Sequence, residues 1–229
     1  MTSAWRVEWV AETGSTNADL LAAGGAGAPD RSVLAARHQT AGRGRLDRRW
    51  EAPAGTNLLV SLLLRDDGDR DIPAHPHELT RRVALAAAIA CEQTTGVVPA
   101  LKWPNDLLLD GAKLAGVLAQ AGSGFVVVGI GINVGWAPPD GALLRDAVTP
   151  EELLDALLVA YDALPADITS LYRSRLGTLG QHVRVELPGD RFITGRAVDV
   201  EEGGRLVVLD ECAITHRIDT GDVVHLRPV

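Results

Sequence analysis

The dipeptide Asp110-Gly111 constrains this chain more than any other pair of residues. It stands between two apolar runs, 101–109 and 112–120. Asp-Gly in that setting is a strong signal for a two-residue hairpin loop, because the mirror-image turns need positive φ at their centre. A loop of that length fixes the register, so Leu109 faces Ala112, Leu108 faces Lys113 and Leu107 faces Leu114. Alternation then puts Leu107, Leu109, Leu114 and Leu118 on one face, which must be core. Asp106 and Lys113 fall on the other face as diagonal neighbours, about 7–8 Å apart. Lys102 joins them if the register survives Pro104.

The strand that follows, 125–136, is unusual in its glycines. Val126, Val128, Ile130, Ile132 and Val134 point one way, and Phe125, Val127, Gly129, Gly131, Asn133 and Gly135 the other. Glycine weakens a strand interior, and three on one face imply close approach of a flat or bulky group, or of another backbone. Asn133 offers that face both a donor and an acceptor.

Around these strands the pattern alternates. Residues 5–11 and 32–38 read as strands. Gly14-Ser15-Thr16-Asn17 opens a helix with a Ser or Thr cap and Asp19 in its first turn, ending in the glycines of 24–27. Residues 39–50 form a loop, 57–64 a buried apolar strand, 66–77 a surface loop, and 79–95 an alanine-rich helix stopped by Gly96. Thr149-Pro150 caps a helix over 150–162, and another is expected over 165–176. From 182 onward the pattern changes to short strands: 182–187, 191–200, 205–209, 213–217 and 222–227. That tail suits a small antiparallel barrel or sandwich.

Charge narrows the function. The 229 residues carry a net charge of −8, which disfavours a nucleic-acid-binding protein. Yet 31–51 holds six arginines (31, 37, 43, 45, 48 and 49) against Asp47 and Glu51, a basic island that suggests a compact anionic ligand. Among the 22 cationic residues only Lys102 and Lys113 are lysines, so a compact ammonium at these places suggests a task that the planar guanidinium cannot perform. Cys91 and Cys212 are too few for a disulfide scaffold and read as small buried hydrophobes of a reduced, cytoplasmic protein. No apolar run approaches a membrane span, and the opening residues show no export signal. The Ser15–Asn17 helix start, the Gly-Arg loop and the face bearing Asp106, Lys113 and Asn133 together describe a site for phosphate plus carboxylate.

Four motifs carry a resemblance. Ser15-Thr16-Asn17, Gln39-Thr40-Ala41-Gly42-Arg43-Gly44-Arg45 with Trp50, Lys102-Trp103-Pro104-Asn105-Asp106 with Lys113-Leu114-Ala115-Gly116, and Gly129-Ile130-Gly131-Ile132-Asn133 stand in the order and spacing of the biotin protein ligase family. The resemblance implies an α+β fold. A mainly antiparallel, mixed sheet flanked by helices, like that of class II synthetases, would occupy 1–179, with a small SH3-like β-barrel at 180–229. It also implies a two-step reaction, in which biotin's carboxylate attacks the α-phosphate of ATP, with Mg2+. A lysine of a biotin carboxyl carrier domain then takes the biotinoyl group. With Ser15 almost at the start, the single-function type without a DNA-binding domain is expected, as a monomer or weak homodimer engaging neither nucleic acid nor membrane.

By the same resemblance Lys113, Arg43 and Asp106 are the catalytic candidates, Asp106 orienting or deprotonating the incoming lysine. Biotin would meet Ser15, Thr16, Asn17, Gln39, Gly42, Arg43, Gly44, Arg45, Lys113 and Gly116. ATP would meet Arg45, Trp50, Lys102, Asn105, Asn133 and Gly131, with Trp136 the candidate to stack on adenine. Leu46-Asp47 stand where many members have a basic residue and a glycine. No protein-built metal site is expected, and His75-Pro76-His77 reads as solvated loop. Lipoate–protein ligase and a non-catalytic biotin sensor are the alternatives.

Overall fold

Residues 4–46, 48–65, 76–145, 148–219 and 221–225 are described by the computed structural model. Its first sheet draws on β1 (Arg6–Val10), β2 (Ser32–Ala36), β3 (Leu58–Arg65), β4 (Ala100–Lys102), β5 (Asp106–Leu109), β6 (Ala112–Gly122) and β7 (Phe125–Ile132). The spatial order is β1-β2-β3-β7-β6-β5-β4, with β1 parallel to β2 and every other neighbouring pair antiparallel. Helices α1 (Thr16–Gly25), α2 (Pro76–Thr95), α3 (Pro150–Asp162) and α4 (Thr169–Arg175) flank it. The expected α+β architecture is what the chain adopts.

The period-2 pattern of β3 and β7 divides the core. Leu58, Val60, Leu62 and Leu64 join Val126, Val128, Ile130 and Ile132 in the main cluster with α2 and α3. Five alanines of α2 (84, 86, 87, 88 and 90) are buried there, and their small side chains let the helix lie close to its neighbours. On the opposite face Leu63, Phe125 and Val127 form a second cluster with Leu20 of α1 and with Leu34. Arg82, 1% exposed, pairs with Glu78 and donates to the carbonyls of Pro165 and Ala166, holding that connection against α2. A buried guanidinium needs such a full set of acceptors.

Two local features depart from the sequence pattern. The run 101–109 is broken into β4 and β5 at Trp103-Pro104-Asn105, because proline has no N–H to extend the ladder. Lys102 then pairs with Asp106 across the turn. The Asp110-Gly111 hairpin is present, with both residues at positive φ, and Leu109 and Leu108 face Ala112 and Lys113 as expected. Leu107, however, faces Ala115 and not Leu114, because a bulge shifts the register between Leu107 and Leu108. One extra residue reverses the alternation along β6. Leu114 stays in the core, whereas Leu118, expected beside it, moves to the other face with Gly116.

The second sheet contains β8 (His182–Leu187), β9 (Arg191–Val200), β10 (Leu206–Leu209), β11 (Thr215–Ile218) and β12 (Asp222–His225). They lie in the antiparallel order β11-β10-β9-β8-β12. Residues 226 and 227 of the expected last strand lie outside the described residues. So do 66–75 of the expected surface loop, His75 included, while Pro76 and His77 belong to α2. Cys91 is buried in the core, and burial pushes its thiol up to about 12. Cys212 corrects the expectation that both cysteines are buried: it is exposed in the β10–β11 turn, whose backbone N–H groups at Cys212 and Ile214 donate to Asp210. No described helix is long and apolar enough to cross a membrane.

The predicted cap of α3 is complete. Thr149 Oγ1 accepts from the Glu152 N–H at 3.2 Å, and the Glu152 carboxylate accepts from the Thr149 N–H at 2.9 Å. Such a reciprocal pair satisfies two otherwise unpaired donors. Replacement of Thr149 by Ala is expected to cost about 1 kcal/mol, read as a lower urea midpoint with an unchanged slope.

Candidate active site

Glycines let two other parts of the chain press onto the sheet. In register, Ser61 of β3, Gly129 of β7 and Leu118 of β6 form one row, and Leu59, Gly131 and Gly116 the next. A Cβ on Gly129 would overlap the Asn17 side chain at the start of α1, and one on Gly131 would overlap the Trp50 indole. A Cβ on Gly116 would lie 3.3 Å from the same indole and 3.1 Å from Lys113 Nζ. The flat group that the glycines of β7 imply is therefore a tryptophan of the chain itself.

A cavity of about 600 Å3 opens over these rows. One stretch of it is neutral and hydrogen-bonded. Thr16 Oγ1 and Ser61 Oγ are 2.7 Å apart, Ser61 Oγ donates to Asn17 Oδ1 at 2.6 Å, and Asn17 Nδ2 donates to Leu118 O and Gln120 Oε1. Gln39 Oε1 accepts from the Thr16 N–H at 2.8 Å and lies within hydrogen-bonding distance of the Thr16 hydroxyl, at 3.1 Å. Ser15 sits at the N-cap of α1 with no side-chain cap bond, so the expected capping interaction is absent and its hydroxyl remains available. The first N–H of α1 is already taken by Gln39.

The other stretch is basic. Residues 42–46 and 48–50 form an arch, held by Trp50 N–H to Gly42 O and Gly44 N–H to Arg48 O. Arg43, Arg45, Arg48 and Arg49 of this arch line the cavity. Arg45 donates to Asn105 Oδ1 and Gly221 O, and burial lowers its pKa despite Asp222 and Asp106 nearby. Arg48 pairs with Asp222 at 2.5 Å. Arg43 is exposed and has no side-chain partner among the described residues. Leu46 takes positive φ at the tip, and Asp47 lies outside the described residues. The remaining two arginines of the basic island serve the fold: Arg31 pairs with Asp162 and lies over Trp5, while Arg37 pairs with Glu151 and lies over Trp9.

Lys113 meets Asp106 at 2.7 Å on the cavity wall, as the diagonal register implies. Asp106 Oδ1 makes no aligned hydrogen bond, so the contact is a charge pair and Lys113, 42% exposed, can re-aim. The bulge of β6 is what puts Lys113 and Gly116 on one side of the sheet. Asn133 is 2% exposed, and its amide is spent within the protein: Nδ2 donates to Lys113 O and Ala142 O, and Oδ1 accepts from Asn57. Asn57 Oδ1 in turn accepts from the N–H groups of Val134 and Trp136. This pair of asparagines ties Lys113 to the 134–142 segment, which brings Trp136 and Asp140 to the cavity.

The structure thus gathers Ser15, Thr16, Asn17, Gln39, Arg43, Gly44, Arg45, Trp50, Asn105, Asp106, Lys113, Gly116, Gly131 and Asn133 around one space. Gly42 packs behind it, against the Trp50 carbonyl. Lys102 does not line it; its charge, after burial, helps to depress the pKa of His225. Ser61, Gln120, Asn57 and Asp222 belong to the site or its support without a sequence signal of their own. Ser61 alone could have been noticed, as the one hydroxyl inside an apolar strand.

Comparison with known proteins gives a consistent result. Residues 14–136 match the biotin/lipoate A/B protein ligase family, and 178–226 match the biotin protein ligase C-terminal domain. The biotin–[acetyl-CoA-carboxylase] ligase of Mycobacterium tuberculosis is 41% identical over 98% of this chain and 91% of its own length. That of Paracoccus denitrificans is 34% identical over 87% of this chain and 92% of its own. The biotin protein ligase of Aquifex aeolicus, solved with biotin and ATP, superposes with a TM-score of 0.80 at 26% identity, covering 97% of this chain and 99% of that one.

The glycine platform generates a test. In Gly131→Ala the new methyl must displace the Trp50 indole, at a cost of about 1–3 kcal/mol in urea unfolding. The near-UV circular dichroism band of the tryptophans should change with it. Unaltered stability and spectrum would show that the indole does not rest on Gly131.

Proposed function

The chain belongs to the biotin/lipoate A/B protein ligase family, and on that premise we propose that it activates biotin with ATP and delivers it to a lysine of a biotin carboxyl carrier domain. The observation that carries this reading is the junction, in one cavity, of a neutral hydrogen-bonding stretch with a cluster of cations. A cyclic urea offers N–H donors and a carbonyl acceptor to Ser15, Thr16 and Gln39. A dithiolane ring would leave those groups unpaired, which favours biotin over lipoate.

In the first step the biotin carboxylate oxygen attacks the α-phosphorus and pyrophosphate leaves. Two anions must meet, and Arg43, Arg45 and Lys113 supply the positive charge that lets them approach and that stabilises the transition state. Lys113 suits the reacting oxygens because its ammonium is compact and can leave Asp106. In the second step the ε-amine of the acceptor lysine attacks the acyl carbon and AMP leaves. Asp106, released from Lys113, is placed to orient or deprotonate that amine.

Trp136 and Asp140 line the same cavity and are the candidates to meet the nucleotide base, and Asn133 supports that segment through its backbone. Among the described residues no group of three or more His, Cys, Asp or Glu could hold a metal, so Mg2+ would arrive on the phosphates of ATP and keep its remaining ligands as water. On this reading 1–179 hold the substrates, and 180–229 support the arginine arch through Gly221 and Asp222. The two free cysteines and the need for ATP support a cytoplasmic location for the reaction.

Incubated with ATP, the protein should release pyrophosphate with biotin and not with lipoate, and label a carrier domain at one lysine. Pyrophosphate release with lipoate alone would overturn the assignment; biotin binding without release would leave only a sensor. Lys113→Arg is expected to lose about 100-fold in the adenylation rate, and a near-normal rate would remove the argument for an ammonium.

A further inference from the structure

Ser61 has the most directional set of contacts in the cavity wall, although it is fully buried and lies beneath the lining. Its single hydroxyl proton goes to Asn17 Oδ1 at 2.6 Å, because a carbonyl oxygen cannot donate. The Thr16 hydroxyl has two acceptors within reach, Ser61 Oγ at 2.7 Å and Gln39 Oε1 at 3.1 Å, and its one proton takes the shorter contact, which Ser61 has no proton left to supply. Hydrogen bonding therefore passes from Thr16 to Ser61 to Asn17, and from Asn17 Nδ2 on to Leu118 O and Gln120 Oε1.

Two consequences follow for the ligand. The Asn17 amide has both N–H groups and its oxygen engaged, so it is a strut and not a ligand donor. With its proton on Ser61, Thr16 Oγ1, which belongs to the cavity lining, is left to act as an acceptor. Gly129 is what allows this, since a Cβ there would lie 3.2 Å from Ser61 Oγ and overlap Asn17.

We propose that Ser61 is a positioning residue for biotin selection: acting through Thr16 and Asn17, it fixes the neutral stretch of the cavity as an acceptor for a urea N–H. The proposal rests on the reading that a cyclic urea occupies this stretch. Failure of that reading is seen separately, as absence of biotin-dependent pyrophosphate release by the unaltered protein.

The test is steady-state adenylation by the full-length Ser61→Ala variant. Its KM for biotin should rise about tenfold, while kcat and the KM for ATP stay within about twofold. Thr16→Val removes the acceptor itself, so adding Ser61→Ala to that background should change the biotin KM by less than about twofold. A merely structural role would raise both KM values together, or act equally in the two backgrounds, and either result overturns the proposal. Should Ser61→Ala not fold, Ser61→Cys keeps the volume with a weaker donor and should raise the biotin KM about threefold; an unchanged KM would count against Ser61.

Discussion

The site depends on how closely other groups can approach the backbone of β7. Gly129 admits the start of α1, and Gly131 with Gly116 admits the Trp50 indole. Each approach brings its own consequence. With Asn17 against β7, the Thr16–Ser61–Asn17 series can close between α1, β3 and β6. With Trp50 seated on the glycine pair, the arginine arch ends over the sheet beside Lys113, whose ammonium lies 5.8 Å from the ring centroid. Side chains at these three positions would hold both groups away, and the cavity would have neither its neutral stretch nor its basic one.

Burial sorts the polar groups into those that build and those that remain free. Arg31, Arg37 and Arg82 are committed to carboxylates, carbonyls or aromatic faces that hold helices to the sheet. Asn17, Asn57 and Asn133 use their amides on protein atoms. What stays open is a smaller set, notably Arg43, the Ser15 hydroxyl and a Lys113 that can leave Asp106. That economy fits the physical demand of joining two anions, in which mobile cations act at the reacting atoms while the surrounding frame stays fixed.

Much of the fold was legible because its signals are local. Asp110-Gly111 gave the hairpin, Thr149-Pro150 the start of α3, and the alternation along 125–132 both faces of β7. The bulge between Leu107 and Leu108 was not, since apolar patterning cannot show a one-residue slip between two leucine-rich strands. For that reason Leu118 was placed in the core. The candidate site residues were expected around one space and meet there, apart from Gly42 and Lys102. Charge density misled over Arg31 and Arg37, because a run of arginines does not reveal which of them has a carboxylate waiting 114 residues away, as Arg37 does in Glu151. Ser61 and Asn57 were hidden for a related reason: their importance lies in whom they touch across the sheet.

The bulge in β6 also sets what this segment can tolerate over evolutionary time. Because one additional residue turns Lys113 and Gly116 toward the same side, the stretch between Gly111 and Gly116 can change its side chains far more easily than its length. A regular ladder with the same number of residues would put Lys113 and Gly116 on opposite faces, and one of the two would then point at the hydrophobic interior. Insertions should accumulate elsewhere, and a regularised, better-paired hairpin at this place would be the more stable and the less useful protein.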